Sequence, residues 1–390
     1  MIWGNFNYTC PMTTYIPTSQ IYIPEGMIDL GAGDPDFALL PLDMLRHAAE
    51  ACFAKDDPSF LQYGVEQGDG YFRIALAKFL SQRYGFPVDS NNLFVTNGIS
   101  NALDLICARF TCPGDTIFVE EPTYFLALRI FKDHDLRIVP IPTDGDGLII
   151  DALDEKLGEF QPKFLYTVPT FQNPGGCTLT QDRRDRLVQL SQEHDFLIVA
   201  DEVYHFLNYS DKKIKPFATY TDLETVISLG SISKILAPGL RLGWMQAHPD
   251  NIKRLTSSGL LDSGGGLNPF TSAIVRELIE AGDLERNIAR LISVYGLRLL
   301  VMEAVLRREI PQAGFETPQG GFFFWVCLPD LDTGQLREDA KRFQVGLRQG
   351  ALFSSRGGMR DYIRLSFAFY DEEKIEEGIR RLGKCLKTFL

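Results

Sequence analysis

The residues best placed to do chemistry lie where apolar runs end. Lys234 closes Gly230-Ser231-Ile232-Ser233-Lys234, directly after the run Thr225–Leu229 and ahead of Ile235-Leu236-Ala237-Pro238-Gly239. A lone lysine is nearly always a solvated side chain. Carried past the end of a buried strand, its amine loses water, its pKa falls and it becomes a nucleophile. Ser231, Ser233 and Arg241, in Leu240-Arg241-Leu242-Gly243-Trp244, are phosphate ligands by type: two hydroxyls and a planar cationic fork. Asp201 follows Leu197–Ala200 and leads into Glu202-Val203-Tyr204. A carboxylate there is unfavourable without a positive partner, which an arginine of the fold or a bound cation could supply.

Three further segments have the same character. Thr96-Asn97-Gly98-Ile99-Ser100-Asn101 reads as a strand, a glycine turn and a helix start. The free N–H groups of that start suit a phosphate, although alone the segment is equally a turn capped by Ser100 or Asn101. Tyr124, after Glu121-Pro122-Thr123, could stack on a flat ring or simply pack against the core. Asn173 sits in Gln172-Asn173-Pro174-Gly175-Gly176, a turn rigid enough to aim an amide and also an ordinary well-formed loop. No G-x-x-x-x-G-K-[ST] or G-x-G-x-x-G run is present, so nucleotide loops lack support. Together these pieces describe one cofactor, pyridoxal 5'-phosphate. It needs a phosphate cup, an aromatic over its ring, an acid at its ring nitrogen, ligands for its ring hydroxyl and a lysine for covalent attachment.

Such residues need elements that bring them to one edge. Leu93–Thr96, Thr116–Glu120, Phe164–Val168, Leu197–Ala200 and Thr225–Leu229 read as buried parallel strands. Helical patterns cover 41–55, 70–84, Asn101–Phe110, Thr180–His194 and Asn268–Ile279. The alternation predicts an α/β chain: a three-layer α/β/α large domain with a mostly parallel sheet and right-handed crossovers. Ligands then bind beyond the carboxyl ends of the strands. After Leu284 a long helix to about Arg308, strands at Gly321–Val326 and Tyr362–Phe367 and a last helix from Asp371 predict a smaller α+β domain. The expected division is 1–40 as an N-terminal arm or part of the small domain, 41–285 as the large domain and 286–390 as the small one. The boundary near 285 is expected inside a continuous helix.

The chain has 390 residues, 45% hydrophobic and 23% charged, with a net charge of −12. That balance fits a two-domain globular protein and argues against nucleic acid, whose phosphates demand Lys and Arg. No apolar run is long enough for a membrane span. Met1 to Gln20 shows no signal-peptide pattern. The seven cysteines have no C-x-x-C spacing, which predicts reduced thiols in a cytoplasmic protein.

From Gly33 to the last helix the chain resembles the fold type I pyridoxal-phosphate enzymes of the class I/II aminotransferase family, and within them the 2-aminoadipate and kynurenine aminotransferase branch. The motifs that carry this are Ser231-x-Ser233-Lys234 with Gly239-Leu240-Arg241-Leu242-Gly243, Asn173-Pro174-x-Gly and Asp201-Glu202-x-Tyr204. The resemblance implies an aspartate-aminotransferase fold and a Schiff base on Lys234, which also shuttles a proton. It implies Asp201 at the pyridine nitrogen, Asn173 and Tyr204 at the ring hydroxyl and Tyr124 stacked on the ring. Ser231, Ser233, Arg241 and the backbone at Ile99 and Ser100 would form the phosphate cup. Arg364, in Tyr362-Ile363-Arg364-Leu365-Ser366, would bind the substrate α-carboxylate, with Gly33 close by. Tyr63, in Gln62-Tyr63-Gly64, would reach the neighbouring subunit's site, so a homodimer with shared sites is implied. Three segments depart from the branch: Ile99 replaces a small residue, Ser263-Gly264-Gly265-Gly266-Leu267-Asn268 is rich in glycine, and Phe353-Ser354-Ser355-Arg356-Gly357-Gly358 replaces a Pro-Gly turn. The last two are expected near the substrate entrance.

Three functions compete on this reading. The first is transfer of the amino group of an L-amino acid to a 2-oxo acid. The second is a lyase or cyclase that expels a β or γ substituent and closes a ring, for example on an arginine-like amino acid, with the same cofactor residues. The third, a regulator built on this fold, needs a DNA-binding domain for which about 30 residues before Gly31 leave no room.

Overall fold

The computed structural model describes residues 19–389; Cys10, nearly all of the Met1–Gln20 stretch read for a signal peptide and residues 1–18 of the expected arm fall outside them. The described chain begins with β1 (Ile28–Asp29). Next come the strands of the large sheet: β2 (Leu93–Thr96), β3 (Thr116–Glu121), β4 (Arg137–Asp144), β5 (Gly147–Leu148), β6 (Phe164–Thr167), β7 (Leu197–Asp201), β8 (Val226–Ser231) and β9 (Gly243–Ala247). Their order is β2-β9-β8-β7-β6-β3-β4-β5. Strands β2, β6, β8 and β9 are buried at every position, which is why their sequences are runs rather than alternations.

The expectation of parallel strands holds for β3, β6, β7 and β8, and β4, which was not among the expected strands, joins them parallel to β3. It fails for the pairing of β2, whose only neighbour among the described residues is the antiparallel β9. That strand also pairs antiparallel with β8, so it is a short return strand between two parallel ones. Its residues, Gly-Trp-Met-Gln-Ala, carry neither alternation nor β-branching, so no local pattern announces a strand there. Eight of the strands thus form one mixed, mostly parallel sheet with helices packed on it.

The smaller α+β domain is built on β10 (Phe323–Cys327), β11 (Val345–Gly346), β12 (Arg348–Gln349) and β13 (Tyr362–Ser366). The order β10-β13-β12 is antiparallel throughout. The helices Asp283–Glu309 and Glu372–Leu386 pack together beside it. Strand β1 pairs parallel with β11, and Ser366 N donates to Leu30 O at 2.6 Å. The segment after β1 is therefore fixed to the small sheet before it reaches the large one.

Residue 285, near which the boundary is expected, lies in the first turn of the helix Asp283–Glu309, just after a break between two helices. The helix Pro269–Glu280 ends, and Gly282, in the left-handed region at φ 74°, starts the next helix. Glycine relieves the Cβ clash there, and the two apolar patterns run on without a change of period, which hides the break in the sequence. Among the described residues no helix is long and apolar enough to cross a membrane.

Candidate active site

Sheet register gathers the predicted residues on one edge. Thr96 aligns with Gly243, and Gly243 with Ser231. Asp201 aligns with Leu229, and Thr167 with Ala200. The carboxyl ends of β2, β8, β7 and β6 and the start of β9 therefore meet side by side, the place where open α/β sheets bind ligands.

At one end of this row lies an anion cradle. The helix Ile99–Phe110 starts at Gly98 (φ 82°) with no side-chain cap on its first N–H groups. Asn101 turns backwards, its Oδ1 accepting from Asn97 N at 3.1 Å. Arg241, itself left-handed at φ 47°, sends Nη2 to Asn97 O at 3.2 Å. A Cβ on Gly98 would lie 2.7 Å from that nitrogen, so only glycine lets the arginine approach. Ser231 Oγ donates to Ser233 Oγ at 2.9 Å, which leaves Ser233 a proton to give. Ser100 is exposed on the first turn and Ile99 half-buried. Uncapped helix N–H groups, a guanidinium and two hydroxyls suit a phosphate.

In the middle of the row, Asp201 is buried. It accepts from Tyr166 Oη at 2.9 Å and Val203 N at 3.3 Å and has no cation paired to it among the described residues. Burial pushes its pKa up to about 6, against the pull of those two hydrogen bonds. This carboxylate lacks a cationic partner, and a protonated ring nitrogen would supply one. Burial also pushes the Tyr124 phenol up to about 12, and Tyr204 is raised further.

At the far side, Lys234 Nζ donates to Gly33 O at 2.9 Å and lies 5.5 Å from the Phe322 ring. Burial lowers its pKa, with Asp34 opposing. Arg364 is buried in β13; its Nη2 donates to Gly31 O at 2.8 Å and its Nη1 to Asn173 Oδ1 at 3.0 Å. Its Nε is buried without a partner. A Cβ on Gly33 would sit 3.2 Å from Arg364 Nη2 and from the Phe323 ring.

Lys234, Asp201, Tyr124, Tyr204, Asn173, Gly33 and Arg364 thus converge, with Ser231, Ser233, Arg241 and the Gly98 turn beside them. Tyr63 does not join them within the chain; its side chain is 82% exposed. The glycine-rich departure serves a close backbone approach. Gly266 N donates to Gly64 O at 2.8 Å, and a Cβ on Gly266 would fall 1.8 Å from Val65 O. Gly265, at φ 71°, is pressed against Gly64 in the same way. These glycines let the Tyr63 segment lie backbone to backbone on 264–266.

Sequence reasoning missed Tyr166, Gly31, Phe323 and Phe353. Tyr166 reads as one more apolar strand residue, and only the β6–β7 register puts its hydroxyl on Asp201. The residues present fit pyridoxal phosphate: a cradle only glycine permits, a buried acid without a cation, an orphaned Arg364 Nε and a water-poor lysine.

The family model for aminotransferases of class I and II matches residues 25–382, and the chain belongs to that family. It is a pyridoxal-phosphate-dependent aminotransferase of the aspartate-aminotransferase fold. It is 37% identical over 370 residues to aromatic-amino-acid aminotransferase 1 of Thermococcus litoralis, covering 93% of this chain and 88% of that one. The crystal structure of Pyrococcus horikoshii kynurenine aminotransferase, in complex with PMP and kynurenine, is similar at TM-score 0.88 and 35% identity, covering 93% of this chain and 91% of that one. An α-aminoadipate aminotransferase from Thermus thermophilus, complexed with N-(5'-phosphopyridoxyl)-L-leucine, is similar at TM-score 0.85 and 30% identity, covering 93% of each chain. Amino acids and 2-oxo acids are its substrates by family.

Proposed function

We propose that transamination takes place at this strand-end site, with Lys234 holding the cofactor and Arg364 the substrate α-carboxylate. The observation that carries this is a shared anchor. The Lys234 amine and the Arg364 guanidinium both bond to the short segment Gly31–Gly33, and Arg364 keeps an unpartnered Nε. An amino acid gripped by its carboxylate at Arg364 is thereby brought to the lysine.

The remaining roles follow from chemistry and resemblance. Asp201 holds a proton on the ring nitrogen. Asn173 and Tyr204 bond the ring hydroxyl, and Tyr124 covers the ring. Ser231, Ser233, Arg241 and the N–H groups of Ile99 and Ser100 take the phosphate. When bound, the cofactor supplies an electron sink beside the substrate α-carbon. Lys234 Nζ, its pKa lowered by burial, is the base that takes the α-carbon proton. Phe322 and Phe323, both buried, exclude water on the side of Lys234 and Arg364.

The test is mass spectrometry of the bound cofactor after single amino acids are added without any 2-oxo acid. Aromatic members come first, since relatives act on aromatic amino acids and kynurenine, then acidic, lysine-like and arginine-like ones. Conversion to pyridoxamine phosphate is expected. An amino acid consumed while the cofactor stays pyridoxal phosphate would replace transamination with elimination or cyclisation.

We also propose a homodimer, with 41–285 as the large domain and 286–390 as the small. Phe53, Leu61, Tyr63, Val65, Tyr71 and Phe270 are all exposed, an unusual amount of apolar surface for a monomer. A second copy is the occupant, because Tyr63, the residue implied to complete a site, stands among them. Equilibrium sedimentation should give twice the chain mass at micromolar concentration; a monomer there would end the shared-site reading.

A further inference from the structure

Arg364 is oriented by more than its own strand. Its guanidinium carbon lies 4.0 Å from the Phe323 ring centre and 5.0 Å from that of Phe353. Phe353 is wholly buried and makes edge contacts with Trp325 at 5.6 Å and Phe125 at 5.2 Å. Where Phe353 sits therefore limits how the guanidinium can tilt.

Phe353 belongs to the segment that departs from the branch, and a carboxylate of the large domain fixes it. Glu121, the last residue of β3, is buried. It accepts from Ser355 N at 3.0 Å, from Ser355 Oγ at 3.0 Å and from Ser354 Oγ. Two residues on, Thr123 N donates to Phe353 O at 2.9 Å. Ser354 Oγ accepts in turn from Arg356 N at 3.2 Å and Gly358 N at 2.8 Å, closing the turn on itself. No cation is paired with Glu121 among the described residues, so hydroxyl and amide donors alone satisfy it.

Its neighbour does the matching work on the other wall. Glu120 Oε2 accepts from Gln172 Nε2 at 3.1 Å, and Gln172 Oε1 accepts from Gly175 N at 2.6 Å, which sets the turn carrying Asn173. Asn173 Oδ1 is the acceptor for Arg364 Nη1. Successive side chains of a strand point to opposite faces. Two adjacent acids at one strand end thus anchor the two loops that grip one arginine. A buried carboxylate adds little net stability over apolar packing, but it does fix a single arrangement of its donors.

We infer that Glu121 is a positioning residue for substrate-carboxylate recognition. Its hold on Ser354 and Ser355 keeps Phe353 in place, and Phe353 keeps the Arg364 guanidinium turned so that its free N–H groups face a substrate carboxylate. This rests on Arg364 being the carboxylate site.

Glu121→Gln keeps the shape and removes the charge-assisted acceptor. It is expected to raise KM about tenfold for the amino acid and for the 2-oxo acid alike, since both carry the carboxylate. kcat should change by less than about twofold, and the cofactor absorbance spectrum should not change. Ser355→Ala removes one of the donors to Glu121, the Oγ hydroxyl, from a half-buried position and keeps the backbone N–H; it should raise both KM values about threefold. It decides the matter if Glu121→Gln does not fold. Arg364→Lys, which replaces the fork by a point charge, runs alongside. Unchanged KM in the clamp variants, with KM raised in Arg364→Lys, overturns the role of Glu121 and leaves Arg364 standing. Lower kcat and lower cofactor occupancy at constant KM also overturn it, because general loosening acts in that way. No change of KM in Arg364→Lys overturns the carboxylate site and the clamp together.

Discussion

Lys234→Ala should give a folded protein that binds pyridoxal phosphate without a covalent bond and transaminates about four orders of magnitude more slowly, the upper end of what one positioned proton-transfer group contributes. The fold should survive because Lys234 makes one hydrogen bond, to Gly33 O, and otherwise packs beside Phe322. Removing an amine whose burial lowers its pKa removes an unfavourable desolvation, so little stability is lost. The cradle at Gly98, Arg241 and the two serines does not involve Lys234, so cofactor still binds by its phosphate. Borohydride reduction followed by peptide mass spectrometry reads the result directly. Wild type should carry the cofactor on the peptide containing Lys234, and the variant on none. Cofactor fixed to a different lysine in the variant would sink the assignment.

How much of this was readable in the sequence depends on how local each feature is. Lys234, Ser231 and Ser233 share five residues, and a buried run before them already places them at a strand end. Asp201 was readable for the same reason: an acid directly after four apolar positions needs an explanation. Arg364 was reached only through resemblance, because nothing around it in the sequence says that β13, a strand of the small sheet, brings it to Asn173 and Gly31. Tyr166 and Phe323 were not legible, and Phe353 only as part of a departing segment, since their roles come from register and from packing between residues far apart in the chain. The glycines at 265 and 266 stand out in the sequence, but their partner does not. A glycine cluster signals close approach, and what approaches, here the backbone of Gly64 and Val65, is fixed by tertiary structure. Glu120 and Glu121 offered a cue that was passed over: two acids closing an apolar strand are harder to explain than one.

Asp201→Asn should act in opposite directions on the cofactor-free and the loaded protein. Burial raises the Asp201 pKa from an ordinary 3.8 to about 6. A carboxyl raised on folding favours the folded state fully below its unfolded pKa, and that benefit is lost as pH rises through the folded value. Above pH 6, then, cofactor-free wild type carries an ionised, cation-free Asp201 at a penalty of about 3 kcal/mol, two pKa units' worth. Asparagine keeps an oxygen for the Tyr166 hydroxyl and has no charge to desolvate. Cofactor-free Asp201→Asn should therefore melt a few degrees above cofactor-free wild type at pH 8, by roughly 1–2 °C per kcal/mol for a chain of this size. The gap should narrow as pH falls from 6 toward 4, where wild type takes up the proton. With cofactor the order reverses. Ionised Asp201 then has a proton on the ring nitrogen to pair with, so wild type gains more from binding than the variant does. The variant should bind the cofactor more weakly and lose at least about a hundredfold in kcat, because a neutral amide cannot hold that proton. Calorimetry of both proteins, with and without cofactor, across pH 4 to 8 separates these effects. A melting gap that does not change with pH in the cofactor-free pair would show that Asp201 is not the buried acid whose charge the cofactor neutralises.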